Sequence, residues 1–334
     1  MRPAKCEGVI MLKAQYTERG PIPQNSICAV EFDIAELAED EALVELIASP
    51  INPSDVLTLT GEYGILPPLP AIGGNEGVGK IVKLGGKGPA IGQTVMLPVG
   101  IGSWATHMVC KTAQLIPVPN EADAKQLAMM TINPPTALLM LEEFVDLKPG
   151  DWVIQNAANS GVGSYLIQLA KIKGLKTINV VRRESAVEGV KALGGDVVLV
   201  DGPALAKDVA KICGDNLPKL AIDAIGGAAT DNVGACLATG GTLVNYGLMS
   251  GESCQLSAKS LVFRDVTLKG FWLARWFRTA TPEKQMALFG QITKYIIEGK
   301  LKTKIHAEYP VSEIKQAVAA AAEGGRDGKI LVVG

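Results

Sequence analysis

Asn159-Ser160-Gly161-Val162-Gly163 is a run of small residues lying between an apolar stretch, Trp152 to Gln155, and a helical pattern that begins at Tyr165-Leu166-Ile167. Small residues at a strand-to-helix turn let the backbone approach a diphosphate closely, and the free N–H groups and dipole of the helix start favour its negative charge. About twenty residues further on, where a dinucleotide fold contacts the ribose, the run Thr177 to Val181 ends in Arg182-Arg183. An NAD site expects Asp or Glu there to bind the 2'-hydroxyl, whereas a guanidinium suits a 2'-phosphate by charge and by its fork of donors. The turn holds two glycines rather than the three of G-x-G-x-x-G. The arginines at the right offset therefore carry much of the inference, and together the two stretches point to NADPH.

Hydride transfer from such a cofactor needs a dry cleft and, for a polarised substrate, an acid or a Lewis acid beside it. Polar groups and turn formers crowd into Ile51-Asn52-Pro53-Ser54-Asp55, Gly61-Glu62-Tyr63-Gly64 and Gly73-Gly74-Asn75-Glu76-Gly77. Tyr63 is the candidate acid, because a phenol with a reference pKa of about 10 stays protonated at neutral pH. On the residues alone, a half-buried loop aromatic is the plainer reading of Tyr63. Asp55 is either an orienting group for this loop or an ordinary turn carboxylate. The two histidines, His107 and His306, lie far apart, and the six cysteines form no C-x-x-C pair. No metal is expected from that spacing, and the cysteine pattern suits a reducing compartment.

The elements that must position these residues change in character along the chain. The first 120 or so residues carry short β-branched runs (Leu43 to Ala48, Gly77 to Val82, Thr94 to Pro98) separated by Gly and Pro, the pattern of an irregular barrel-like β domain. From Ala122 the texture becomes helical, with stretches Ala124 to Met130 and Pro135 to Glu143. Strand-like runs then alternate with helices at Val153–Asn156, Ile178–Val181, Val197–Val200, Leu220–Ala224 and Thr242–Tyr246. That alternation predicts a doubly wound parallel sheet. The tail carries helical patterns over Pro282 to Glu298 and Val311 to Glu323, then a strand, Lys329 to Val333. A strand after a helix rejoins an existing sheet, so the expected division is an α/β chain with a β-rich domain over 1–121, completed by 275–334, and a nucleotide-binding domain over 122–274.

With 334 residues, 48% of them hydrophobic and 20% charged, the chain is large enough for two cores. A net charge of −2 gives no general drive toward nucleic acid or membrane. No apolar run approaches the roughly 18 residues of a membrane helix. Residues 1–8 read as entering a strand at once, leaving no room for a targeting peptide, so a cytoplasmic location is expected, or the mitochondrial matrix if a presequence has been removed.

The blocks Ile51-Asn52-Pro53-Ser54-Asp55, Gly73-Gly74-Asn75-Glu76-Gly77, Asn133-Pro134-Pro135-Thr136-Ala137, Val153 to Gly163, Asn179-Val180-Val181-Arg182 and Gly270-Phe271-Trp272-Leu273 occur in this order. Together they resemble the medium-chain dehydrogenase/reductase superfamily and, within it, the trans-2-enoyl-thioester reductases of mitochondrial type. The resemblance spans nearly the whole chain and implies a GroES-like catalytic domain plus a Rossmann domain. It implies NADPH-dependent reduction of an enoyl-CoA or enoyl-acyl carrier protein in fatty-acid synthesis, with Tyr63 giving a proton to C2 while hydride reaches C3. It also implies a homodimer that joins the nucleotide-domain sheets edge to edge.

Zinc enzymes of the superfamily carry Cys before the Asp of the first block and His before the Glu of the second. Here Pro53 and Ser54 precede Asp55, and Asn75 precedes Glu76. By the same resemblance the cofactor contacts are Asn133, Asn159, Ser160, Gly161, Val162, Arg182, Arg183, Tyr246, Gly247, Leu248, Met249, Phe271, Trp272, Leu273 and Lys329. Glu184 departs from the family, which often has a third basic residue there. Apolar core strand remains the alternative for Phe271 to Leu273, and a solvated lysine for Lys329. Arg264, Lys269, Arg275, Arg278 and Lys284 would form a basic rim for a phosphate-bearing or acidic substrate, with a solvated surface as the plainer alternative. The rival activities are a zinc-independent quinone or enone reductase and a non-catalytic NADPH-binding sensor.

Overall fold

The computed structural model describes residues 10–334, so the strand expected within residues 1–8 lies outside the described residues. The chain forms two compact units, Met1–Thr131 with Thr303–Gly334, and Ile132–Lys302.

In the first unit β1 (Leu12–Tyr16), β2 (Ile27–Glu31), β3 (Glu41–Pro50), β4 (Ala71–Ile72), β5 (Val78–Leu84), β6 (Thr94–Met96), β7 (His107–Lys111) and β8 (Ile116–Pro117) are short and joined by turns. β1 pairs antiparallel with β2 and β4 in a three-stranded sheet, while β3 pairs antiparallel with both β5 and β7. Along β3 the alternate residues Ala42, Val44, Leu46 and Ala48 are buried, as a period of two requires of a strand facing a core. Between β3 and β4 the polar block expected as a loop contains a helix, α1 (Pro53–Thr60). Asn52 precedes it, Pro53 opens it, and Gly61 closes it in the left-handed region at φ +89°.

The second unit begins with α2 (Asn133–Glu142) and then alternates. The order is β9 (Trp152–Gln155), α3 (Gly161–Ile172), β10 (Lys176–Val181), α4 (Val187–Ala192), β11 (Val197–Val200), α5 (Leu205–Cys213), β12 (Leu220–Asp223), α6 (Ala228–Gly234), β13 (Thr242–Asn245) and β14 (Thr267–Gly270). All pairings in this six-stranded sheet are parallel, and the spatial order is β11-β10-β9-β12-β13-β14. Strand order reverses between β9 and β12, and the crevice at the carboxyl ends of such a pair is where open α/β sheets bind ligands. The inner strands of this sheet carry the core of the unit: Ile154, Ile178, Val180, Ala221 and Leu243 are all buried.

The unit ends with α7 (Leu273–Thr279) and α8 (Pro282–Ile297). The nucleotide-binding domain expected from sequence is bounded at 122 and 274, whereas the second unit runs from Ile132 to Lys302. Leu288, Ile292 and Ile296 form a buried stripe on α8, α8 packs on α2, and Trp276 Nε1 donates to Glu143 Oε1 at 2.7 Å. These contacts hold both helices in the second unit, and the return comes at Thr303. There β15 (Ile305–Pro310), α9 (Ile314–Ala322) and β16 (Lys329–Val333) complete the first unit, with β16 antiparallel to β3 and parallel to β15. Among the described residues no helix is long and apolar enough to cross a membrane.

Candidate functional site

In the second unit the small-residue turn stands at the carboxyl end of β9, beside the reversal point. Ala157 adopts φ +47°, and Ser160 caps α3 by accepting the N–H of Gly163 at 3.1 Å. A side chain on Gly163 would meet the carbonyl oxygens of Ala158 and Ala157 at 2.6 and 2.8 Å, so glycine is required for the helix to pack this close. Asn159 is exposed, Ser160 and Gly161 are half-buried, and Val162 is buried. The free N–H groups of this first turn and the dipole of a twelve-residue helix suit a diphosphate. Arg182 and Arg183 are exposed just beyond the carboxyl end of β10. The residues present therefore fit a phosphorylated dinucleotide.

Two polar clusters behind the turn were not anticipated from sequence. Gln155 Nε2 donates to the Gly163 carbonyl at 3.1 Å and to Asn179 Oδ1 at 2.9 Å, tying β9 to both the helix start and β10. Asp223, at the end of β12, is buried, which alone would raise its pKa. Hydrogen bonds from Asn156, Thr230, Asn245 and the Ile225 N–H outweigh burial and hold the carboxyl below its ordinary value. Tyr246 follows β13 half-buried. Burial raises its phenol strongly, against a hydrogen bond with Ser160. Gly247 is again a close approach, 2.6 Å from the Ala224 carbonyl for any Cβ, and Leu248 and Met249 are exposed.

Asn133 opens α2 and is buried. Phe271 and Leu273 are buried and Trp272 is half-buried. They follow β14 instead of forming a strand, and Phe271 meets Phe144 edge to face. Within the basic group Arg264 is structural: its guanidinium donates to the carbonyls of Ala235 and Leu237. Lys269, Arg275, Arg278 and Lys284 are exposed, and Arg278 lies 5.2 Å from the Trp272 ring centroid.

The first unit carries a second polar centre. Glu76 is fully buried, accepting from Asn52 Nδ2 at 2.7 Å on one oxygen and from the Thr131 N–H and hydroxyl at 3.0 and 2.7 Å on the other. Asp55, also buried, accepts the Asn52 N–H and the Asn75 amide, each at 2.7 Å. Lys329 is buried as well, and its ammonium donates to Asn52 Oδ1. Burial pushes Asp55 up to about 7, with the Glu76 charge adding to the effect, and pushes Lys329 down to about 8 against the pull of Glu76 and Asp55. Burial also raises Glu76. Asp55 thus caps the start of α1, and the Lys329 ammonium meets Asn52 within this unit.

Tyr63 lies three residues past the end of α1, half-buried. Its backbone N–H and those of Gly61 and Glu62 all converge on the Leu57 carbonyl, at 3.2, 3.0 and 2.9 Å. Beyond it the apolar side chains of Ile65, Leu66 and Leu69 are exposed.

Residues 38–120 match the alcohol dehydrogenase GroES-like domain family, and residues 161–289 match the zinc-binding dehydrogenase family. The sequence is 37% identical over 306 residues to the mitochondrial enoyl-[acyl-carrier-protein] reductase of Rattus norvegicus, covering 89% of this chain and 82% of that protein. The fold superposes on an Etr1p/NADP/crotonyl-CoA complex with a TM-score of 0.89 at 26% identity, over 98% of this chain and all of the other. It also superposes on a protein assigned as an NADPH:quinone reductase from Bacillus thuringiensis, with a TM-score of 0.88 at 27% identity and the same coverage. The zinc in the second family's description does not suit the residues here. The Asp55 and Glu76 oxygens are taken up by hydrogen bonds, an ammonium stands beside them, and no group of three or more His, Cys, Asp or Glu among the described residues is arranged to hold a metal.

Proposed function

The chain belongs to the medium-chain dehydrogenase/reductase superfamily and, within it, to the mitochondrial-type enoyl-[acyl-carrier-protein] reductases, and from that premise we propose that it reduces trans-2-enoyl thioesters with NADPH. The observation that carries the cofactor side is the capped turn at Ser160–Gly163 with Arg182 and Arg183 beyond the neighbouring strand. Bound NADPH supplies the hydride for C3 of the substrate. The turn and the α3 dipole hold the diphosphate, the two arginines take the 2'-phosphate, and the Tyr246–Met249 segment at the end of β13 flanks the nicotinamide.

Tyr63 gives the proton to C2. Its support is the fixed backbone after Gly61 and the exposed apolar run Ile65, Leu66 and Leu69 beside it, a surface suited to an acyl chain. Lys329 is better read as a partner of Asn52 than as a cofactor contact. Exposed Lys269, Arg275, Arg278 and Lys284 suit the phosphates of CoA or an acidic carrier protein.

The mitochondrial names of the relatives favour a matrix enzyme of fatty-acid synthesis. A homodimer is supported by β14, an exposed edge strand whose neighbouring residues Val262 and Phe263 are 71% and 80% exposed. The quinone-reductase fold match keeps that activity as the second reading. NADPH oxidation with crotonyl-CoA, longer enoyl-CoAs and a simple quinone separates the two: thioester turnover that Tyr63→Phe abolishes supports the reductase, whereas quinone turnover alone overturns it.

A further inference from the structure

Tyr63 stands on a segment without regular structure. From Gly61 to Pro70 the chain forms neither helix nor strand, and most of its side chains are exposed. Backbone with few buried contacts opens locally at little cost in free energy, whereas a reacting group misplaced by about 1 Å can lose a hundredfold in rate. One side chain from outside the segment touches both of its ends. Arg19 follows β1 and is half-buried. Its Cδ lies 3.4 Å from where a Cβ on Gly61 would stand, and its guanidinium donates to the Pro67 carbonyl, 48 residues away in sequence. The guanidinium carbon is 5.9 Å from the centroid of the Tyr16 ring, which is 2% exposed and belongs to the core of this unit. The next backbone N–H, on Gly20, donates to the Leu59 carbonyl of α1 at 3.2 Å. The arginine is therefore rooted on α1 through its backbone and on the core through the Tyr16 ring.

We propose that Arg19 is a positioning residue that clamps Gly61 to Pro67 and so holds Tyr63 in the orientation that proton transfer needs. The inference rests on the reading of Tyr63 as proton donor and adds to it what keeps the donor in place. At the Gly61 end the Leu57 carbonyl already gathers the backbone N–H groups of Gly61, Glu62 and Tyr63. At the other end Pro67 has no N–H, so its carbonyl is the one backbone group by which hydrogen bonding can hold it. A guanidinium suits that task, because a bond from a charged donor is roughly twice as strong as one between neutral groups. Ile65 and Leu66 lie between the two held ends with their side chains exposed. The same clamp therefore sets the apolar surface offered to the acyl chain.

The test is reduction of crotonyl-CoA by NADPH in water and in deuterium oxide, following kcat, KM, the solvent isotope effect on kcat, and NADPH binding by fluorescence. Arg19→Met keeps the apolar stem and removes the donors. Arg19→Gln keeps a polar tip too short to reach the Pro67 carbonyl and carries the same comparison if the first variant does not fold. Arg19→Lys keeps one charged donor. We expect kcat to fall about tenfold in the Met or Gln variant, with NADPH affinity within about twofold of wild type. The solvent isotope effect should rise to about 1.5 times the wild-type value, because proton delivery has become the slower step. Arg19→Lys should return kcat to within about threefold of wild type. Wild-type kcat and isotope effect in the Met or Gln variant overturn the proposal. So does a fall in kcat that Arg19→Lys does not restore, or one that leaves the isotope effect unchanged, the result of a merely structural role. Tyr63→Phe is run alongside. If it retains the wild-type rate, the donor assignment fails and the proposal with it, whereas slow Tyr63→Phe beside wild-type Arg19→Met defeats the clamp alone.

Discussion

Gln155 Nε2 donates to the carbonyl oxygen of Gly163 at 3.1 Å, a buried bond from the end of β9 to the first turn of α3. It fixes the distance between the strand and the helix whose N-terminus is the proposed diphosphate site. The same nitrogen donates to Asn179 Oδ1, so a single side chain serves three elements.

Gln155→Met keeps the length of the side chain and removes its donors. The Gly163 carbonyl and the Asn179 oxygen then lose a buried partner, at a cost of about 1–3 kcal/mol for each acceptor left unsatisfied. Urea unfolding of the variant should show a lower midpoint, and NADPH titration a weaker dissociation constant. Unchanged values for both would mean that the turn is held by other contacts.

On the proposed reading, cofactor choice depends on Arg182 and Arg183, which are exposed. A charge-assisted hydrogen bond is worth about 1.5–3 kcal/mol, and at the low end of that range each arginine contributes roughly tenfold in affinity. Replacing both with Ala should weaken NADPH by about a hundredfold while leaving NADH nearly unchanged. Glu184 is exposed beside them, and Glu184→Lys should strengthen NADPH by a few fold, most clearly at low salt. Equal losses for the two cofactors would place the 2'-phosphate elsewhere.

The nucleotide half was readable because its signals are local. The turn, the arginines one strand later and the alternation of strands all lie within short windows, and the expected strands fall within a residue or two of those observed. The closing strand Lys329–Val333 was likewise legible from its apolar run. The boundary at Thr303 was not, because the membership of α7 and α8 depends on contacts such as Trp276 with Glu143, far apart in sequence. The same limit hid the cluster around Asn52. Asp55 and Glu76 stand in turn-rich blocks that drew attention, but nothing nearby signals that Lys329 will complete them. Helix α1 was missed because its eight residues carry Pro, Ser and Thr, which read as loop until Asp55 and Gly61 are seen to cap both ends.

The cluster should leave a mark on stability as a function of pH. Asp55 holds its proton more tightly in the folded state, with a pKa of about 7 against 3.8 for the ordinary group. Between about pH 4 and 7 the unfolded chain has released this proton and the folded one has not, so stability falls as pH rises through that window. Lys329 acts in the other sense. Its folded value of about 8 lies below the ordinary 10.5, so the folded state has given up the proton first and stability rises with pH between those limits. Glu76 and Arg326 face the same ammonium, Glu76 raising and Arg326 lowering its pKa. Urea unfolding across pH 4–9 should show the falling limb in the wild type, and Asp55→Asn should flatten it. A limb that persists in that variant would assign it to another group.

The last expectation concerns the edge of the six-stranded sheet. β14 pairs with β13 on one side only among the described residues, and all four of its residues are exposed. An open edge with exposed apolar side chains invites a second strand. Leu261, Val262, Phe263 and Leu268 are such side chains, with Phe263 80% exposed. A twofold axis beside β14 would set two copies of the edge against each other and bury the same residues on both partners, as a closed symmetric interface requires. Covering a Phe or Val fully is worth about 1.5–3 kcal/mol, and each residue counts twice in such a dimer. Sedimentation should therefore find the wild type dimeric at micromolar concentration and Val262→Asp with Phe263→Asp monomeric, with the NADPH turn intact in both. A wild type that sediments as a monomer would show that the edge stays open in solution.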